Sequence, residues 1–191
     1  SLNCTYAKGI TPREIFFYIY AVLYSNTYRI KYADDLKIDF PRVPFTKNFK
    51  LFQRISMLGK ELTDLHLLKA RVLNNPISKC EGDGTSLVEK LKYNGEERRI
   101  YINNDQHFDG IEKELWEYQI GGYQVLDKWL KDRKGGTLSN DDIKHYCKII
   151  TALKKTIEIQ KKIDKHYLKV EEGVIEHTGN SIISGPKKMS V

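Results

Sequence analysis

The 191-residue sequence predicts an α+β fold that is mostly helical and contains a small antiparallel sheet with an Asn-Gly hairpin. Apolar residues recur at helical spacing in the first 70 residues and again after residue 138, whereas the segment between them shows alternation. Within that segment, Asn94-Gly95 separates two strand-like runs, which is the strongest short-range signal for a hairpin. Helices on either side of a small antiparallel sheet are typical of the α+β class.

Helices are predicted within residues 11–68. Thr11, Pro12 and Glu14 form a capping box with proline at the first helical position, so a helix starts here and continues through the apolar residues 15–23. A second helix is expected over residues 27–36, and two prolines exclude a helix over residues 39–45. A third helix over residues 46–68 is indicated by one apolar stripe at helical spacing. That stripe consists of Phe52, Ile55, Leu58, Leu62 and Leu65.

The sheet is predicted within residues 86–120. A two-residue turn at Asn94-Gly95 would pair Tyr93 with Glu96, and this register assigns each residue to one of two faces. The apolar face would hold Leu87, Leu91, Tyr93, Ile100 and Ile102. The opposite face would hold Val88, Lys90, Lys92, Arg99, Tyr101 and Asn103. A third strand is expected over residues 114–120, where aromatic and apolar residues alternate.

Two helices are predicted within residues 122–167. The first is short and carries Leu126, Trp129 and Leu130. Ser139 caps the second, which is long and has one buried stripe. That stripe consists of Ile143, Tyr146, Cys147, Ile150, Leu153 and Ile157. We therefore expect one domain over residues 1–167 and a polar, loosely ordered tail over residues 168–191.

The composition favours a polyanionic partner without specifying one. The net charge is +7, of which +6 falls in residues 1–75. Three cysteines without a CxxC pair argue against a disulfide framework or a zinc site. The longest apolar run is too short to cross a bilayer, and the sequence shows no secretory leader. A cytoplasmic location without membrane contact is the resulting expectation.

The common catalytic signatures are missing from the sequence. It contains no phosphate-binding GxxxxGK[ST], no GxGxxG, no GxSxG and no HExxH, and its five histidines lack metal-ligand spacing. The carboxylate pair Asp141 and Asp142 stands at a predicted helix amino end, where the backbone dipole favours negative charge. We therefore expect no catalytic centre, metal or cofactor in this chain.

The polar side of the hairpin offers chemistry suited to duplex DNA. Arginine pairs with guanine edges in the major groove and asparagine or glutamine with adenine edges, although the same face could simply be solvated. Candidate nucleic-acid-binding residues on and beside the hairpin are Lys90, Lys92, Arg99, Tyr101, Asn103, Asn104 and Gln106. Candidate phosphate contacts are Arg42 and Lys47 near the prolines and Lys131, Arg133 and Lys134 after the short helix.

Several separated strings resemble the C-terminal specificity domain of Type ISP single-polypeptide restriction–modification enzymes. They run in the same order from about residue 10 to about residue 165. The longest are ITPREIFFYIYAVL (10–23), LKIDFPRVP (36–44), WEYQIGGYQVL (116–126) and KWLKDR (128–133), with shorter ones at 28–33, 88–90, 101–103, 138–139 and 145–146.

The resemblance implies a DNA target-recognition domain that binds double-stranded DNA sequence-specifically, against the methyltransferase domain of its parent chain. The parent would join this domain to a nuclease, an ATPase motor and an adenine-N6 methyltransferase, which would use Mg, ATP and S-adenosylmethionine. One alternative remains: a helical coupling module of the same kind of enzyme that docks on other domains and contacts no bases. An exposed apolar patch would favour that alternative.

Overall fold

The computed structural model of the chain describes residues 9–174. Within them, the helices are α1 (Pro12–Tyr24), α2 (Asn26–Lys31), α3 (Asp35–Ile38), α4 (Phe49–His66), α5 (Lys113–Trp116), α6 (Val125–Lys131) and α7 (Asn140–Glu171), with a 3-10 turn at Arg71–Asn74. The strands are β1 (Cys80–Glu81), β2 (Lys92–Asn94), β3 (Arg99–Tyr101), β4 (His107–Phe108), β5 (Gln119–Ile120) and β6 (Tyr123–Gln124). The predicted fold class, mostly helical with a small antiparallel sheet, is confirmed.

The amino ends of α1 and α4 follow local signals in the sequence. The hydroxyl of Thr11 accepts from the N–H of Glu14, whose carboxylate accepts from the N–H of Thr11, so the predicted capping box is confirmed. Asn48 caps α4 by accepting from the N–H of Leu51. The five residues of the predicted α4 stripe are all buried: Phe52, Ile55, Leu58, Leu62 and Leu65.

The single helix predicted over residues 27–36 is wrong, because the segment contains α2 and α3. The chain leaves helical geometry at Tyr32, where φ is −107° and ψ is 24°. A residue of α7 helps to hold the amino end of α2, so this end does not depend on its own sequence alone. Asp164 accepts from the hydroxyl of Ser25 at 2.7 Å and from the N–H of Thr27 at 3.1 Å.

The helical core lies between α1, α4 and the carboxyl half of α7. Tyr18 is fully buried in it and stacks between the rings of Phe45 and Phe52 at 5.0 and 4.9 Å. Its other fully or nearly buried residues include Ala21, Val22, Tyr28, Ile55, Leu62, Leu73, Ile159, Ile163, Tyr167 and Val170.

His66 joins three helices inside the helical core. Its Nδ1 lies 2.7 Å from the hydroxyl of Tyr20 and its Nε2 lies 2.9 Å from Oγ1 of Thr156. The hydroxyl of Thr156 already donates to the carbonyl of Ala152, so it accepts from the N–H of Nε2, and Nδ1 accepts from Tyr20. Burial lowers the pKa of His66 and keeps the ring neutral.

This burial predicts a loss of stability in acid. The unfolded chain protonates His66 near its ordinary pKa of about 6.5, whereas the folded chain resists protonation until a lower pH. The free energy of unfolding should therefore fall as the pH drops from about 6.5 towards the folded pKa. Thermal unfolding at about pH 7.5 and about pH 5 should show a larger drop in Tm for the natural chain than for His66→Gln. Equal drops would contradict this origin of the acid sensitivity.

The four-stranded sheet has the order β1-β4-β3-β2, and all its pairs are antiparallel. The predicted two-residue turn is wrong: Tyr93 pairs with Ile100, and residues 95–98 form the turn. The side chain of Asn94 accepts from the N–H of Glu96, and Arg98 takes the left-handed region with φ of 55°. The observed register differs from the predicted one by four residues. Because four is an even number, side chains within these two strands keep their predicted faces.

Two further sheet predictions are wrong. The strand expected over residues 114–120 is replaced by α5 and a second hairpin of β5 and β6, which turns at Gly121 and Gly122 with φ of 59° and 84°. Val88 does not share the polar face, because it is fully buried. Its N–H donates to the carbonyl of Gly136, a partner that the hairpin pattern cannot reveal.

α7 supports both halves of the molecule. Ser139 and Asp142 form its capping box, and its 32 residues span about 48 Å. Its carboxyl half packs in the helical core, whereas its amino half packs against the sheet and α6 in the sheet core. The sheet core contains Val88, Ile100, Ile102, Phe108, Ile111, Leu115, Leu126, Leu130, Leu138, Tyr146, Cys147, Ile150 and Leu153.

The end of α7 extends past the predicted domain boundary at residue 167. The helix continues to Glu171, and Val174 forms a β-bridge with Thr46. The rest of the predicted tail, residues 175–191, lies outside the described residues, as does Cys4. Cys80 and Cys147 are free thiols, and Cys147 is buried in the predicted stripe. From residue 9 to residue 174, no helix combines the length and apolar character needed to cross a membrane.

Candidate nucleic-acid interface

The outer face of the sheet groups a cation, a phenol and an imidazole. Lys92 lies opposite Tyr101, and Tyr101 lies opposite His107 on the next strand. The rings of Tyr101 and His107 are 5.1 Å apart. Arg99 stands one row further along the same face, opposite Asn94. The structure thus brings three of the predicted hairpin residues together, whereas Lys90 lies outside the strands on an exposed segment.

Glu97 in the hairpin turn organises two of these residues. Its carboxylate lies 3.7 Å from the Arg99 guanidinium and accepts a short hydrogen bond from the hydroxyl of Tyr101. The contact holds both side chains in place and offsets the positive charge of Arg99. A base edge or a phosphate that binds Arg99 would have to share it with this carboxylate.

His107 was missed by the sequence analysis. Its Nε2 is buried, has no hydrogen-bond partner among residues 9–174, and lies 3.9 Å from a carboxylate oxygen of Glu81. Buried nitrogens of folded proteins usually have a hydrogen-bond partner, so this atom is an exception at the outer face of the sheet. A sequence signal existed, because His107 occupies an outward position of the short strand that follows the amide-rich loop.

The loop between β3 and β4 uses two of its three predicted amides for its own structure. Asn103 Oδ1 accepts from the N–H of Asp105 and of Gln106, and its Nδ2 donates to the carbonyl of Leu87. Gln106 is 5% exposed, and its Oε1 accepts from the N–H of Ser86 at 2.6 Å. The structure therefore places Asn103 and Gln106 as internal supports of the loop.

Asn104 is the exposed amide of that loop. Asn103 stabilises the backbone turn that presents Asn104, because its side-chain oxygen accepts from the N–H of Gln106. Of the three predicted amides, Asn104 is the one with a side chain free to reach a base edge.

The turn after α6 presents cations of unequal availability. Lys131 is paired with Asp127 at 2.6 Å, and Arg133 lies 3.5 Å above the Trp129 ring and donates to the Trp129 carbonyl. Lys134 is exposed and forms no ion pair within residues 9–174. Backbone hydrogen bonds between residues 135–138 and residues 86–88 place this turn beside the segment that carries Lys90.

Arg42 and Lys47 lie in another part of the molecule. The proline segment that carries Arg42 is anchored on the helical core, because the hydroxyls of Tyr18 and Tyr28 donate to the carbonyls of Pro44 and Arg42. The Arg42 guanidinium is paired with Asp39 at 3.2 Å. The predicted contacts thus divide into two groups. The sheet-end group lies on and beside the four-stranded sheet, and the bundle-end group, Arg42 and Lys47, lies at the helical core. Between residues 9 and 174, no cluster of His, Cys, Asp or Glu could hold a metal ion.

The sequence matches one known family over most of its length. The profile of the Type ISP C-terminal specificity domain matches residues 2–162. The chain belongs to this family. The resemblance found in the sequence is thereby confirmed, and comparison with curated proteins gave no match.

Three solved structures share the fold of this specificity domain. One is a nuclease-deletion mutant of the Type ISP restriction–modification enzyme LlaGI in complex with a DNA substrate mimic: identity is 25%, the TM-score is 0.63, and coverage is 80% of this chain and 14% of that chain. For DrdV in a DNA complex, identity is 22%, the TM-score is 0.63, and coverage is 84% and 18%.

The third is the ATP-dependent Type ISP enzyme LlaBIII bound to DNA, with 19% identity, a TM-score of 0.59, and coverage of 86% of this chain and 12% of that chain. This specificity domain therefore corresponds to less than a fifth of each of the three longer chains.

Proposed function

We propose that this specificity domain binds duplex DNA sequence-specifically as the target-recognition domain of a restriction–modification enzyme. The family match over residues 2–162 carries the proposal. It is supported by the shared fold with enzymes that were solved in complexes with DNA. The catalytic steps would belong to other domains, among them an adenine-N6 methyltransferase against which this domain clamps DNA. Those domains would supply the sites for S-adenosylmethionine, ATP and Mg, and the enzyme would act in the cytoplasm.

The sheet-end group is the part of the domain suited to base contacts. Arg99 is held in position by Glu97, Asn104 projects from a closed turn, and the rings of Tyr101 and His107 contact each other at an angle of 41° across β3 and β4. Arginine and asparagine are the side chains that pair bidentately with guanine and adenine in the major groove. Lys90, Lys92 and Lys134 lie around this face as exposed cations and would hold phosphates.

Arg99→Ala should relax sequence specificity, because a base contact is lost only at the matching base pair. Affinity for the cognate duplex should fall about 5- to 150-fold while affinity for scrambled duplex hardly changes. Lys134→Ala is the matched control, since it removes one charge at a proposed phosphate contact. It should weaken both duplexes equally and lower the salt slope by about one.

Fluorescence anisotropy of both variants on cognate and scrambled duplexes, within the intact enzyme, measures these effects. If Arg99→Ala leaves the cognate-to-scrambled ratio unchanged, the outer face of the sheet is a solvated scaffold. The base contacts would then have to come from loops such as the one that carries Asn104.

A coupling module remains the second candidate, because three large apolar side chains near the prolines are exposed. Ile30 on α2, Ile38 at the end of α3 and Phe40 before Pro41 are 77%, 84% and 88% exposed. Side chains of this kind commonly mark a docking surface. The same binding assay separates the candidates: a domain that only docks on its neighbours would leave both duplex affinities unchanged in every sheet-end variant.

A further inference from the structure

A cleft of about 480 Å³ lies where the amino end of α4 meets the carboxyl end of α7. It is at the opposite end of α7 from the sheet. Its charged and titratable lining residues are Lys47, Lys50, Arg54, His166, Lys169 and Glu172. Of these, Lys47 alone is predicted from the sequence as a phosphate contact.

The backbone fixes the two walls of this cleft against each other. The N–H of Lys47 donates to the carbonyl of Gly173 at 2.7 Å, and Thr46 bridges to Val174. Asn48, the next residue, starts α4 by accepting from the N–H of Leu51 at 3.1 Å. The cleft is therefore built before any ligand arrives, and binding would need little rearrangement.

The cations that line the cleft outnumber its one carboxylate. Lys47, Lys50, Arg54 and Lys169 are all exposed, and none forms an ion pair within the part of the chain that the structure describes. In contrast, cations nearby on the same helical core are paired, such as Lys60 with Asp64 at 2.5 Å.

Two neighbouring carboxylates leave the cleft with a net positive charge. Glu172 lines the cleft and offsets one of the four charges. Glu171 accepts from Lys31 and Tyr167 instead. The positive field is visible at His166, whose pKa is lowered by burial and, next, by the charges of Arg54 and Lys169. Three net positive charges thus converge on one open cavity.

We propose that this cleft binds a phosphodiester group of the duplex backbone, at a distance from the outer face of the sheet. The inference rests on the proposed function, which supplies the polyanion. Cations drawn from a loop and two helices into one cavity suit the several oxygens of a phosphate. The α7 residues that pack on the sheet lie about 20 residues from those in the cleft, which is about 30 Å along the axis.

The test compares two α4 variants of equal charge change in the 191-residue chain. Arg54→Gln removes a cleft cation, and Lys60→Gln removes a paired cation less than two turns away on the same helix. Anisotropy titrations with a duplex over a range of salt should show that Arg54→Gln lowers the salt slope by about 0.9. Affinity at about 0.1 M salt should fall about eightfold for cognate and scrambled duplex alike. Lys60→Gln should retain the natural slope.

A local measurement accompanies the titration. The ring proton signal of His166 in NMR should move when duplex is added to the natural chain or to Lys60→Gln, and much less in Arg54→Gln. Strong duplex binding by the natural chain, with an unchanged slope in Arg54→Gln and an unmoved His166 signal, would overturn the cleft proposal and leave the proposed function standing. Where the natural chain alone binds no duplex, the same titration in the intact enzyme decides the cleft proposal, and an intact enzyme that binds no duplex would overturn both.

Discussion

Gly59→Ala is expected to destabilise the domain by about 3 kcal/mol, against the usual helix preference for alanine. An added Cβ at this position would lie 1.9 Å from the carbonyl oxygen of Phe17 and 3.2 Å from Cβ of Ala21. The nearest obstacle is backbone, which no side-chain rotation can relieve. α1 and α4 would therefore have to move apart by more than 1 Å in a close-packed core.

Urea or thermal unfolding measures this effect, with Gly95→Ala as the matched control. Gly95 lies in the hairpin turn, and its Cβ would meet nothing closer than 3.6 Å, at the Tyr93 ring. The control should keep the natural midpoint to within a degree or two, whereas Gly59→Ala should lower Tm by roughly 6–12 °C. An unchanged or raised midpoint for Gly59→Ala would show that the two helices do not approach as closely as described.

Helices could be predicted from the sequence because their signals are local. The capping boxes at Thr11 and Ser139 each join residues three apart, so short strings contain the whole motif. The α4 stripe repeats at helical spacing along one continuous element, and all of it is buried. Local patterns also placed the short helix after Gly121-Gly122, which begins at Val125.

The errors in the sheet have long-range causes. Val88 was assigned to the polar face by alternation, but its backbone pairs with Gly136, almost 50 residues further along the chain. Gln106 is predicted from the sequence to bind nucleic acid, although contacts with Ser86 bury it. Neither partner can be inferred from the strand period alone, because the pairing depends on how the turn after α6 returns to the sheet.

The candidate contacts also divide into those that follow from local sequence and those that depend on long-range packing. Lys131 and Asp127 lie one helical turn apart, so their ion pair can be inferred from the sequence. This pair makes the cation less available to a phosphate. The bundle-end cleft instead joins Lys47 and Arg54 to Lys169, which are brought together only by the packing of α4 on α7. Charge density in the first 75 residues indicated a basic region, but the fold decides which of its cations remain unpaired.

Lys155→Pro is expected to cost about 3 kcal/mol or more and to divide the unfolding of the domain into two steps. Lys155 lies on α7 where the helix passes from one core to the other: Leu153 and Ile157 pack in the sheet core, and Ala152 and Ile159 pack in the helical core. Proline there removes the N–H that bonds to the carbonyl four residues earlier and clashes with that carbonyl. Because α7 is the element shared by both cores, a break at this position should uncouple their unfolding.

The two tryptophans make this uncoupling measurable. Trp116 and Trp129 both pack on the sheet core, so tryptophan fluorescence follows that half, whereas far-UV circular dichroism follows the helices of both halves. In the natural chain the two signals should change together in urea, and in Lys155→Pro they should separate. Lys155→Ala removes the partly buried ion pair with Glu158 but keeps the helix, so it should cost less than about 1 kcal/mol and leave the transitions coincident. Coincident transitions in Lys155→Pro would mean that the two cores are coupled through contacts other than the continuity of α7.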